Sequence, residues 1–275
     1  YLQHVNGTGA VVDGWPATGL AIAVVAGVQS APAVVSDDAG GVFVSWQDRR
    51  AGNDDVYVQH ASAVGALVPG WPTNGVAACT AAGDQRTPRM ISDDAGGVVL
   101  AWQDQRGGGW DVYASRMHGS GALASGWSAD GTAVCVAGGD QTAVRAARDG
   151  AQGAFLVWQD GRGSDLDVYA IRLDANGTVP AGWLANGSAI GEAPADQTAP
   201  DVAADDAGGI YVTWQDRQLA DADIRALHVV ADGSTAAGWS EGGSLLCGAA
   251  GEQTAPRTAV SLGDAYALWA DARGG

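Results

Sequence analysis

Lysine is absent from all 275 residues. The 14 basic side chains are arginines, set against 31 acidic ones, for a net charge of −17. A surface this acidic repels nucleic acid and anionic membrane, and both are poor candidates as partners. No apolar run approaches the ~20 residues of a membrane-spanning helix, so direct membrane insertion by that route is excluded. No stretch carries a helical hydrophobic period. Glutamate is scarce: Glu192, Glu241 and Glu252, all in loop-like segments. A Ser nucleophile elbow, H-E-x-x-H and a phosphate loop are missing. Cys79, Cys135 and Cys247 have no C-x-x-C spacing, which leaves a reactive thiol or metal ligand without support. The chain opens at Tyr1 and reads as a mature or excised fragment.

Tryptophan is plentiful and ordered. Trp-Gln-Asp occurs at Trp46, Trp102, Trp158 and Trp214, and Trp-Ala-Asp at Trp269, with spacings of 56, 56, 56 and 55. A fixed period of that length marks a repeat architecture. Glutamines 29, 85, 141, 197 and 253 keep the period, as do D-D-A-G-G turns at Asp37, Asp93 and Asp205. So do the aspartates of D-V-Y or D-I-R at Asp55, Asp111, Asp167 and Asp223. Gly-Trp returns at Trp15, Trp71, Trp127, Trp183 and Trp239; of the 11 tryptophans only Trp110 stands outside the pattern.

One repeat reads as four strands. In the fourth copy Gln197–Ala204 is a short apolar segment, and Asp205–Gly209 a turn in which acids bond nearby amides and Gly supplies positive φ. Ile210–Trp214 is a β run apolar on both faces, and therefore covered on both. Asp223–Leu227 is a third strand. Ser234–Cys247 is an interrupted fourth, after an Asp232-Gly233 hairpin signal. Five such copies predict an all-β, five-bladed β-propeller with four antiparallel strands per blade. A linear solenoid competes, but it would need atypical capping repeats, and none is seen. Tyr1–His4 aligns with Tyr57–His60, and the chain ends after a second strand. The expectation is therefore one domain over residues 1–275, its ring closed by N-terminal strands completing the C-terminal blade. Residues 1–25 and 250–275 would share that blade, which hides sheet edges.

The run W-Q-D-x-R-x-G-x-x-D-V-Y, clearest from Trp158 to Tyr169, resembles the TolB-like propeller repeat. Ser36-x-Asp38-x-Gly40 and Ser92-x-Asp94-x-Gly96 resemble the Asp-box hairpin of sialidase-type propellers, without its usual Thr-Trp ending. The resemblance implies the fold and an extracellular or cell-surface setting, bacterial in type. It implies no activity.

Five sets of residues compete as sites. Trp46/Asp48, Trp102/Asp104, Trp158/Asp160, Trp214/Asp216 and Trp269/Asp271 read as a structural latch: the Trp packs between blades while the Asp accepts from the nearby Arg or loop amides. Groups repeated five times are poor catalytic candidates. The loop set Trp15, Trp71, Trp127, Trp183 and Trp239, with Asn74, Asp130 and Asn186 beside it, is the ligand-binding candidate, joined by the unrepeated Trp110. Trp beside Asn or Asp can stack a sugar weakly, one site per blade, gaining by multivalency. The other reading is a Trp folded under its own loop. The Asp-rich turns could take Ca²⁺, but plain turns fit better; no metal and no cofactor are expected. His4, His60 and His228, with Arg116 and Arg172 at the same repeat position, are expected to pair with local Asp. The three cysteines, also at one position, read as small buried residues.

The functional expectation is a non-enzymatic extracytoplasmic module, recognising a glycan or another surface protein. A structural spacer is the alternative and a glycoside hydrolase the third reading. Oligomeric state is left open.

Overall fold

The computed structural model describes residues 1–218 and 221–273. Leu219 and Ala220, and the Gly274 and Gly275 assigned to the last blade, lie outside the described residues. No helix occurs among the described residues, and none is long and apolar enough to cross a membrane.

The first four-stranded sheet contains β1 (Gln29–Ser36), β2 (Val42–Asp48), β3 (Asp55–Ala61) and β4 (Val76–Cys79). The second contains β5 (Gln85–Ser92), β6 (Val98–Asp104), β7 (Asp111–Met117) and β8 (Thr132–Cys135). The third contains β9 (Gln141–Arg148), β10 (Ala154–Asp160), β11 (Asp167–Leu173) and β12 (Ser188–Gly191). The fourth contains β13 (Gln197–Ala204), β14 (Ile210–Asp216), β15 (Asp223–Val229) and β16 (Ser244–Cys247). Each is an antiparallel meander in sequence order, and β17 (Gln253–Ser261) with β18 (Asp264–Asp271) forms a two-stranded sheet. The first strands β1, β5, β9, β13 and β17 pack successively side by side, so these are blades arranged about their inner strands.

The second strand of each full blade is its core. Trp102, Trp158, Trp214, Phe155 and Leu156 are fully buried, and the clusters they form span two blades each. The fourth strand is shorter than the sequence suggests. Residues 234–243 are mostly turn, held by a single Val229–Thr235 bridge, because Gly242 and Gly243 both take positive φ before β16 begins.

Each inner strand also has a bulge that the pattern hides. Ala31, Thr87, Ala143, Ala199 and Ala255 adopt φ of 47–54°, a left-handed conformation costly for a residue with a Cβ. In four of the five the exposed amide is captured from the preceding blade. Gln47, Gln103, Gln159 and Gln215 accept from Thr87, Ala143, Ala199 and Ala255 N at 2.7–2.8 Å. The middle residue of Trp-Gln-Asp thus staples each blade to the next, a role the sequence reading did not assign.

The two half-blades are not joined in this structure. Residues 1–25 hold only the bridges Leu2–Leu20 and Val5–Val11, and β18 pairs with β17 alone. The expected pairing of the N-terminal strands with the last blade is not observed, and β18 keeps Tyr266 and Leu268 exposed.

Candidate functional site

The Trp-Asp-Arg unit closes the hairpin between the second and third strands. In the third blade Asp160 Oδ2 accepts from Trp158 Nε1 at 2.7 Å, and Arg162 grips both carboxylate oxygens at 2.8 and 2.6 Å. Arg162 stacks over Tyr169, 3.9 Å from the ring centroid, and donates to Asn186 O at 2.6 Å. Blades one and two repeat this around Asp48 and Asp104. Burial raises Asp160, but the hydrogen bonds from Arg162 and Trp158 outweigh it and hold the carboxyl below its ordinary value. Gly75, Gly131, Gly187 and Gly243 floor the indoles; a Cβ on Gly187 would lie 2.4 Å from the Trp158 ring.

The fourth blade rewires the latch. Gln218 stands where the others have Arg, and Arg225 replaces the Tyr. Arg225 pairs with Asp216 from the neighbouring strand, and Trp214 Nε1 is left without a partner. Arg225→Tyr alone should therefore cost about 1–3 kcal/mol, because Asp216 stays buried with no cation. Adding Gln218→Arg should restore most of that loss. Urea unfolding of the two single variants and the double variant checks this, and additive losses would refute the exchange.

The loop tryptophans do not form sugar platforms. Trp15, Trp71, Trp127 and Trp183 are only 5–9% exposed. Each donates its Nε1 to a carbonyl 48 residues on, Ala63, Gly119, Ala175 and Ala231 respectively, at 2.8–3.1 Å. Their rings are spent on the joint between neighbouring blades, so the ligand-binding reading is corrected for these four. Trp239 is half-buried, against Tyr211 and His228. Asn74, Asp130 and Asn186 are corrected with them. All three take positive φ, and their side-chain oxygens accept from Val24, Thr80 and Val136 N across the joint. Trp110 remains half-buried beside Arg86, with the guanidinium 5.4 Å from its ring.

The first aspartate of each turn is fully occupied. Asp37 Oδ1 accepts from Ala39 and Gly41 N at 2.8 Å, while Oδ2 meets His60 at 2.8 Å. Asp93, Asp149 and Asp205 do the same with Arg116, Arg172 and His228. Cation ligation by these oxygens would break bonds already made, and no metal-binding group of three occurs among the described residues. His4 instead lies edge-on to Trp15. Cys79 and Cys135 are buried against the next blade's latch, accepting from Arg106 and Arg162 at 3.1 and 3.2 Å. Burial pushes them up to about 12 and about 11, far from reactive thiolates. Cys247 is half-buried, and all three are free.

Chemistry gathers around the D-V-Y aspartates, which the sequence reading left unassigned. Asp160 and Asp167 face each other across β10–β11, as Asp48 and Asp55 do across β2–β3. Burial first, then the neighbouring Asp165, pushes Asp167 up to about 6. Burial likewise takes Asp55 to about 6, against a hydrogen bond from Asn53. Asp167 is 6% exposed, and its Oδ1 is buried without a partner. The third blade adds Asp165 and Glu192 to this aspartate, on the rim of a cleft of about 580 Å³ between Gly163–Asp167 and Glu192–Pro194; the fourth has Asp221 at the Asp165 position but no counterpart of Glu192. The equivalents of Glu192 are Thr80, Val136 and Gly248. That departure was visible in the sequence, since Glu192, like Glu241, stands at a repeat position otherwise without acid.

No known family profile and no curated protein matches the chain. Among solved structures it is similar to an endo-arabinase from Bacteroides thetaiotaomicron, 12% identical over 91% of each chain, TM-score 0.47. It is also similar to a putative TolB from Agrobacterium tumefaciens, 13% identical over 78% of this chain and 67% of that one, TM-score 0.41. An exo-β-1,3-galactanase from Phanerochaete chrysosporium is 13% identical over 86% of this chain and 53% of that one, TM-score 0.42. At these identities no residue or reaction carries over. The expectation of a non-enzymatic module is nevertheless corrected: apart from the TolB, the neighbours reported bear the names of glycan-cleaving enzymes.

Proposed function

We propose that the protein is a glycan-cleaving propeller acting outside the cytoplasm, with the third-blade cleft as its active site. The observation that carries this is the raised Asp167 on a cleft wall with Asp165 and Glu192. Glycoside hydrolysis needs one carboxyl protonated near neutral pH and a second one ionised and reachable by water or the sugar. Asp167, at about 6, retains a proton into the working range and serves as the acid. Glu192, exposed on the opposite rim, is the base or nucleophile, with Asp165 beside it. Asp160 is fully buried and locked by Arg162, so it contributes its field and not its oxygens. The extracytoplasmic setting follows the repeat resemblance. The test is release of reducing ends from a panel of plant and bacterial polysaccharides; no cleavage of any of them overturns the reading.

Ring closure belongs to the same proposal. By the register of the complete blades, in which Trp46 faces Tyr57 and Ser45 faces Val58, Tyr1 would face Trp269 and Leu2 would face Leu268. This would cover side chains now exposed on β18. A Leu2→Cys/Leu268→Cys pair is then within disulfide reach and is expected to cross-link in air. A non-reducing gel checks this, and free thiols at both positions would count against closure.

A further inference from the structure

Twelve of the 14 arginines form an ion pair with a carboxylate. Arg89 and Arg257 have none among the described residues. Both occupy one repeat position, the fifth residue of the inner strand, which Arg145 fills in the third blade and Asp201 in the fourth. Ala33 fills it in the first blade. In a chain of net charge −17, three cations and one anion therefore converge where the inner strands pack together.

The single anion does not satisfy the set. Arg145 Nε lies 3.5 Å from Asp201 Oδ1, and Asp201 Oδ2 already accepts from Thr258 N at 2.8 Å. Among the described residues Arg145 and Arg257 otherwise donate only to carbonyls of their own strands, at Ala143, Val144 and Pro256. Burial, and then the charge of Arg89, pulls Arg145 below its ordinary value, with Arg257 acting the same way and Asp201 opposing. Guanidinium groups that repel one another this way are costly unless an oxyanion joins them.

A cavity of about 620 Å³ opens further along the inner strands; none of the three arginines lines it, and its one lining cation, Arg148, pairs with Asp94. Its wall includes Ile91, Ala147 and Ala203, each two residues beyond Arg89, Arg145 and Asp201 on the same strand and hence on the same strand face. Asp94, Asp149 and Asp206 stand at its rim. That rim sets the ligand: a polyanion is repelled in proportion to its charge, whereas one planar carboxylate meets the guanidinium fork two oxygens to two nitrogens.

We propose that Arg89, Arg145 and Arg257 form an oxyanion site on the inner strands that holds the carboxylate of an acidic sugar. The cluster and cavity stand by themselves; the choice of a sugar over a free organic acid rests on the glycan-cleaving reading.

Calorimetry on the whole chain at low salt tests the site, with digalacturonate, its methyl ester, succinate and inorganic sulfate as probes. Expected are saturable binding of digalacturonate, no binding of the ester, and weakening as NaCl screens the site. Arg89→Gln and Arg257→Gln should each weaken binding on the order of tenfold. The ligand-free variants should melt no lower than the wild type, since each removes a repulsion. The proposal is overturned by equal binding of acid and ester, by preference for succinate or sulfate, or by variants that melt lower and bind unchanged. Digalacturonate binding without cleavage of any polysaccharide keeps this site and removes the third-blade hydrolase. Cleavage of neutral glycans without carboxylate binding does the reverse.

Discussion

Trp158→Ala is expected to lower the unfolding free energy by about 3–5 kcal/mol, the range for deleting a fully buried aromatic. Trp158 has no exposed surface and packs into the cluster joining the second and third blades, with Val99, Val112, Val134 and Leu156. Its loss opens a cavity under Gly187, whose missing Cβ already concedes the space. It also deprives the buried Asp160 of one donor. Trp269→Ala is the internal control. The same motif there is half-buried, and its bond to Asp271 is longer, at 3.2 Å, so with the last blade open as in this structure the loss should stay near or below about 1 kcal/mol, and it should be larger where Tyr1 covers the ring. Urea unfolding followed by far-UV circular dichroism separates the two. Equal losses in a chain whose Leu2→Cys/Leu268→Cys variant stays uncross-linked would mean that the indole acts through its hairpin alone, and the blade-joint account would fall.

Asp167→Asn is expected to do two opposite things. If Asp167 is the acid of the third-blade cleft, glycan cleavage should fall about 10²–10⁴-fold, the usual contribution of a positioned proton donor. Glu192→Gln should cost a comparable factor, and wild-type cleavage should decline as pH rises through about 6. Stability should move the other way. The folded pKa of Asp167 lies above its ordinary value of 3.8, so its protonated form is favoured in the native state. That contribution is complete below the unfolded pKa and is lost as pH rises through about 6. Above that pH the native state holds a buried, ionised Asp167 beside Asp165 and Glu192. Asn removes this cost, so the variant should be more stable than the wild type at pH 8, by about 1–3 kcal/mol. The gain should vanish near pH 4. Asp55→Asn should reproduce the stability gain, since Asp55 also stands at about 6, without the loss of cleavage. Thermal melts at pH 4, 6 and 8 check the sign; a variant equally stable across that range would show that Asp167 ionises freely.

The gain and the loss come from the same burial. Oδ1 of Asp167 is out of water with no donor, which destabilises the fold at neutral pH and keeps a proton available at the cleft.

The repeat was legible because its signals are local. Trp46, Asp48, Arg50 and Tyr57 belong to one hairpin, so a spacing of a few residues was enough to suggest the latch around Asp48. The turn at Asp37 was equally plain, since an aspartate two and four residues before its donors needs no partner from elsewhere. Even the rewired fourth blade is written locally, as Gln218 and Arg225 exchanged for Arg and Tyr.

The loop tryptophans show where this stops. Their polar neighbours suggested exposure, yet the bond from Trp71 Nε1 reaches Gly119, and the Gln47 staple reaches Thr87, 40 residues on. A joint between blades uses residues nearly a full period apart, and periodicity cannot tell whether a ring lies under its own loop, against the next blade or in solvent.

The sequence by itself determined the all-β repeat, its four-strand unit and the fastener within each hairpin, because strand alternation and turn chemistry act over a few residues. Only the tertiary structure decided that Trp71 is a joint, that Arg89, Arg145 and Arg257 converge, and that burial raises Asp167 while the partners of Asp160 hold it low. Each of those depends on which charges and surfaces other blades bring within a few ångströms, and on whether burial or a partner dominates there.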